Sequence, residues 1–296
     1  MNRLAKLLDG REWVLFDGGM GTLLQERGLD EGRPGELWNV EEPEKIRAIH
    51  EEYAAAGAAV LTTNTFGGTR PRLAMHGLGD RVVELNRAAA EIARSVAAEH
   101  GALVAGDLGP TGELLSPLGT LDPADAQAIF EEQLTGLVAG GIDLVLIETM
   151  SDLGEVSAAV DAARAVAPDL PTIATLSFDT NLRTMMGVTP AQAVVSLAES
   201  GVEAAGANCG RGLEEMEQIA EQLAAARPEG SDVLLIAQSN AGLPVLMGDR
   251  FGYDVPVSDL ADHARRLHGI GIDLIGACCG STPAHLAAMR EALAVA

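Results

Sequence analysis

Eight short apolar runs, spaced by longer amphipathic stretches, limit the folds open to this chain. They cover residues 13–17, 59–66, 103–110, 143–149, 171–178, 204–210, 232–240 and 274–280. Most are apolar almost without a break, as parallel strands buried on both faces should be. Helical patterns lie between and after them, at 43–57, 81–100, 122–140, 152–167, 189–201, 213–227, 257–269 and 282–296. In the first of these, Ile46, Ile49 and Tyr53 share one helix face. Asp122-Pro123, Thr189-Pro190 and Thr282-Pro283 each set a capping side chain before a proline at the first helical position. Gly57, Gly140 and Gly201 are expected to stop helices.

Eight strand–helix units predict a (β/α)8 TIM barrel, an α/β fold, as a single domain over residues 1–296. The alternative is a doubly wound open sheet. That fold usually places G-x-G-x-x-G after its first strand, whereas the first run here ends in D-G-G-M-G-T. The chain has 296 residues and is 47% hydrophobic but only 3% aromatic, so Ala, Val, Leu and Ile must fill the core.

The charge balance is acidic: 20 Lys and Arg against 43 Asp and Glu give a net −23 at pH 7. This argues against nucleic-acid or anionic-membrane partners, which are themselves negative. No stretch approaches the ~20 apolar residues of a membrane span, and the first 16 residues hold no signal-peptide core. A cytoplasmic location is expected. An odd number of cysteines there does not suggest a disulfide framework.

In a barrel of this type the site lies at the C-terminal ends of the strands. All three cysteines fall there: Cys209 ends the sixth run in G-A-N-C-G, and Cys278 and Cys279 end the eighth in G-A-C-C-G-S-T. Three thiolates suit one zinc ion per chain and leave a fourth position open, as in catalytic sites. No histidine lies at a predicted strand end, and His285 is assigned a surface or packing role. Three thiolates on a divalent ion carry a net −1 charge, which makes a weak Lewis acid toward water or carbonyls. A soft site of this kind suits a substrate thiol, so alkylation of a thiol is expected rather than hydrolysis.

Other strand ends suit a small amino acid. Asp17-Gly18-Gly19 lets backbone N–H groups approach a carboxylate. Glu148 follows an apolar run and needs a cationic partner, for which a substrate ammonium is one candidate and a neighbouring arginine another. Thr63-Asn64-Thr65-Phe66 and Gln238-Ser239-Asn240 offer neutral hydrogen-bonding groups.

Along nearly its whole length the chain resembles the zinc-dependent homocysteine S-methyltransferases. The matching segments are F-D-G-G-M-G-T, T-N-T-F-G-G-T-R, G-D-L-G-P-T-G-E, I-E-T-M-S-D, A-N-C-G, S-N-A-G-L-P and G-A-C-C-G-S-T-P-A-H. The resemblance implies zinc on Cys209, Cys278 and Cys279 and homocysteine as methyl acceptor. It implies that Asp17, Gly18 and Glu148 meet the amino and carboxylate groups, with Ser151 and Asp152 nearby. Asn240 matches an asparagine next to the metal. N-T-F-G-G-T-R and G-P-T-G-E-L-L-S-P-L-G look most like the homocysteine-binding module of cobalamin-dependent methionine synthase. By that resemblance the donor is methylcobalamin or another methyl-corrinoid, brought by a separate corrinoid protein, or a methyltetrahydrofolate-derived methyl group. S-methylmethionine, S-adenosylmethionine and betaine are the alternative donors. A non-catalytic, thiol-presenting subunit of a corrinoid complex is the reading from another class.

Overall fold

The computed structural model describes residues 4–5, 11–30, 32–247 and 250–295. Eight parallel strands form one sheet: β1 (Val14–Leu15), β2 (Val60–Thr62), β3 (Leu103–Leu108), β4 (Leu144–Met150), β5 (Thr172–Leu176), β6 (Ala204–Cys209), β7 (Leu234–Ser239) and β10 (Leu274–Ala277). The order is β1-β10-β7-β6-β5-β4-β3-β2, and a parallel bridge between Phe16 and Val60 joins its two ends. This is the (β/α)8 barrel that the eight runs predict. Between β7 and β10 an antiparallel hairpin, β8 (Val245–Met247) with β9 (Arg250–Gly252), adds to the rim; nothing in the apolar runs marks it.

Helices follow the predicted segments. Asp122 caps one by accepting the Ala124 N–H, and Thr189 caps another in a reciprocal box with Gln192. His285 holds the start of the last helix, since its Nδ1 accepts the Thr282 N–H and its Nε2 lies 3.0 Å from the Val255 carbonyl. Gly140 differs from expectation. The helix Pro123–Gly140 runs through it, and Gly141, at φ +91°, ends the helix in the left-handed region. Gly140 serves packing instead, because a Cβ there would lie 2.5 Å from the Cβ of Ala90 on the neighbouring helix.

Side chains alternate across each strand. Outward ones such as Val104, Val145, Ile147 and Leu235 meet the helices in the main core. Inward ones change character along the barrel axis. Leu4, Val14, Phe16, Val60, Ala105, Leu144, Ile173 and Leu274 form a dry plug toward the strand starts. One or two inward steps later the same strands carry Asp107, Glu148, Thr175, Asn208 and Gln238. The apolar plug therefore closes one end of the barrel and the polar row opens into a cavity at the other.

Candidate metal centre and active site

The cavity at the C-terminal end has a volume of about 310 Å³, and Asp17, Thr62, Asp107, Glu148, Gln238 and all three cysteines are among the residues on its walls. The cysteines converge at its edge. Their Sγ atoms lie within 4.8 Å of one another, with Cys209 3.1 Å from Cys278 and Cys278 4.0 Å from Cys279. A tetrahedral zinc with zinc–sulfur bonds of ~2.3 Å spaces its sulfurs by about 3.8 Å, so the donor set fits the ion. No other group of three metal-ligating side chains gathers this closely among the described residues.

The backbone holds these thiols in place. The Cys278 N–H donates to the Ser239 carbonyl at 2.8 Å, and the Cys279 N–H to Asn240 Oδ1 at 3.0 Å. The Gly280 N–H reaches Thr22 Oγ1, and Ser281 Oγ donates to the Cys278 carbonyl while accepting the Gly19 N–H. Gly280 has φ +79°, and a Cβ there would meet the Tyr253 ring at 2.1 Å, so the turn after the cysteine pair admits only glycine. On the other side, Cys209 itself has φ +60° and Thr149 φ +59°. Such strain is found at functional sites where surrounding bonds over-determine the backbone. Here Asn208 supplies those bonds. Its Oδ1 accepts from the Thr149 N–H and from Thr175 Oγ1, and its Nδ2 donates to Thr149 Oγ1.

Three half-buried thiols this close cannot all ionise without a cation. Hydrogen bonds from Cys209 and Cys278 hold the Cys279 thiol down at about 3. Its bonds with Cys209 and Cys279, and then burial, push Cys278 far above the usual thiol range. A divalent ion removes that conflict.

The other wall is acidic. Asp17 is raised to about 7 by burial, although Thr62 N–H and Oγ1 donate to its two oxygens at 2.7 Å each. Glu148 is raised to about 8 by burial, then by Cys279 and Asp17. Burial raises Glu36 as well, partly offset by the Gly67 N–H on its Oε1. No Lys, Arg or His is among the described residues that line the cavity.

Several expected site residues lie in the wall with their polar atoms already engaged. Thr63 Oγ1 is 2.7 Å from Thr65 Oγ1 and accepts the Asp107 N–H, and Asn64 Nδ2 donates to the Gly35 carbonyl and Asn39 Oδ1. The Gly19 N–H goes to Ser281, not to the cavity. Ser151, Asp152 and Asn240 do not line the cavity. Asp152 caps the helix Leu153–Val166 through the Gly154 N–H, and Asn240 bridges the Gly210 carbonyl to the Cys279 N–H. Asp107 and Asn208 were not singled out from sequence. Their parity was the available signal, because each falls on the inward set of its strand.

The sequence model of the homocysteine S-methyltransferase family matches residues 14–293. The chain belongs to that family. Methionine synthases of Mycobacterium tuberculosis (strain ATCC 25618 / H37Rv) and Mycobacterium leprae (strain TN) are each 32% identical to it over 297 residues. Those alignments cover 95% of this chain and 24% of the relatives, so the chain spans about a quarter of their length. Among solved structures, the homocysteine methyltransferase MmuM from Escherichia coli in its metallated form is similar, with a TM-score of 0.80 and 28% identity over 98% of this chain and 99% of that one. Its apo form matches with a TM-score of 0.77. Within the homocysteine S-methyltransferase barrel, the strand ends described here bring a soft metal-ligand set and an acidic pocket to one mouth.

Proposed function

We propose that this enzyme transfers a methyl group to the thiol of homocysteine, giving methionine, with zinc held by Cys209, Cys278 and Cys279. The observation that carries this reading is the convergence of three sulfurs on a small acidic cavity. Zinc held there would lower the pKa of a substrate thiol and leave its sulfur nucleophilic. The chain's own residues then position the substrate. Glu148 faces the cavity without a hydrogen bond among the described residues and takes the ammonium. Backbone at Gly18 borders the carboxylate. The substrate's sulfur forms its new bond to the methyl carbon as the bond from carbon to the donor breaks, and the cavity contributes the alignment.

Methyl-corrinoid or a methyltetrahydrofolate-derived methyl group is the favoured donor class, on the similarity to methionine synthases. S-methylmethionine, S-adenosylmethionine and betaine are the alternatives. A corrinoid protein is the implied partner in the first case. The test has two parts. Zinc content should fall at least tenfold in Cys209→Ala and in the Cys278→Ala/Cys279→Ala double variant; full occupancy in either removes the metal assignment. A donor screen with homocysteine and the purified protein should then give methionine with one class. If no donor gives turnover but the chain stimulates a corrinoid methyltransfer system, it is a thiol-presenting subunit instead.

A further inference from the structure

The cavity has a polarity that the cysteines do not explain. Among the described residues on its wall, the fully buried side-chain atoms without a partner are both hydrogen-bond acceptors. Asp107 is 3% exposed and Gln238 4% exposed, and among the described residues Asp107 Oδ1 and Gln238 Oε1 have no partner. Glu148, on the strand next to that of Asp107, lines the same cavity, with Gln238 across the barrel from them. By contrast, the two oxygens of Asp17 are satisfied by Thr62. A buried acceptor left bare costs about 1–3 kcal/mol, and more when charged.

Asp107 is also held firmly by its backbone. Its N–H donates to Thr63 Oγ1, and its carbonyl accepts from Thr65 Oγ1 and Gln133 Nε2. Thr63 and Thr65 touch each other at 2.7 Å. The segment after β2, β3 itself and a helix thus fix a carboxyl that has no hydrogen bond among the described residues. Glu148 is the inward acid of the next strand, and its charge, after burial, disfavours ionisation of Asp107. A ligand that satisfies this wall must be a donor and a cation. A metal ion is disfavoured, because no third ligating side chain closes on the two acids. An ammonium, with three N–H donors, matches three acceptors.

We propose that Asp107 is a specificity-determining residue: together with Glu148 and Gln238 Oε1 it forms a three-acceptor seat for the substrate's α-ammonium. This rests on the homocysteine reading and adds a demand to it. The thiol alone does not suffice, and a des-amino thiol is rejected because it leaves two acids facing each other unpaired.

The test measures binding of homocysteine and of 4-mercaptobutyrate to the zinc-loaded protein by calorimetry, in the wild type and in Asp107→Asn. The wild type should favour homocysteine by more than 100-fold. In D107N homocysteine should weaken at least tenfold while 4-mercaptobutyrate changes less than threefold, with zinc content and melting temperature retained. Equal weakening of both ligands, or an unchanged homocysteine affinity, overturns the proposal. Should D107N fail to fold, the wild-type ratio decides, and a preference below tenfold overturns it. A wild type that binds 4-mercaptobutyrate but not homocysteine overturns both readings, whereas one that binds homocysteine with the stated preference keeps the substrate reading whatever D107N does.

Discussion

Two buried side chains show how much a single residue determines here. Asn208 is fully buried and satisfies Thr149 N–H, Thr149 Oγ1 and Thr175 Oγ1 at once. Asn208→Leu keeps the volume but strands those groups, so unfolding in urea should show a loss of about 2–4 kcal/mol. Zinc affinity should fall as well, since Cys209 loses the neighbour that holds its strained backbone. His50 makes the opposite point. It is fully buried on the helix Pro43–Ala56, neither ring nitrogen has a partner among the described residues, and burial lowers it to about 4. The unfolded chain then binds the proton more readily than the folded one, so stability is lost as pH falls from the ordinary histidine value of about 6.5 toward 4. Between pH 7 and pH 5 the wild type should lose about 2 kcal/mol more than His50→Leu, read as the difference between their urea midpoints.

The strands carry their constraints in glycines, and two of these should behave differently. A Cβ on Gly206 of β6 would lie 1.8 Å from the Ile236 carbonyl oxygen of β7, which is backbone and cannot move aside. A Cβ on Gly106 of β3 would meet Ile142 Cδ1 at 2.7 Å, the end of a flexible side chain. Gly206→Ala should therefore yield little folded protein, whereas Gly106→Ala should fold with a cost of about 1–3 kcal/mol; thermal melts of the two separate these outcomes. The strands themselves were legible because parallel strands buried on both faces are nearly pure apolar sequence. Their ends were less so. The run 59–66 reads as one strand, yet only Val60–Thr62 pairs, because Thr63, Asn64 and Thr65 turn their polar groups to each other and to neighbouring backbone. The hairpin after β7 has strands of three residues, too short for a period to show. Gly19 looked free for a substrate because nothing local reveals a bond to Ser281, which is 262 positions away.

Across the whole molecule the barrel and its cysteine rim could be read from the sequence, since fold type and strand-end position follow from pattern alone. The acidic pocket could be read only in part, through Asp17 and Glu148 at their strand ends. Asp107 appears in sequence as one charge closing an apolar run, and only the closed barrel sets it against Glu148 and Gln238. The surface follows from the net −23 charge. The basic side chains are largely engaged in exposed pairs such as Arg47 with Glu99 and Arg70 with Glu132, each worth little, and the surplus carboxylates repel. Raising sodium chloride from 20 mM to 500 mM should therefore raise the melting temperature by several degrees; a fall would mean that the ion pairs outweigh the repulsion.

The plug formed by Leu4, Phe16, Leu144 and their neighbours fills the barrel toward the strand starts, and the cavity lies at the other end. The acids lie on the strands below the level at which Cys209, Cys278 and Cys279 end or follow theirs. Whatever occupies that lower seat enters before anything resting at the rim, and leaves only after the rim has cleared. On the proposed function this architecture predicts a queue: the amino-acid guest is first in and last out, and the methyl carrier both arrives and departs while that guest is still inside.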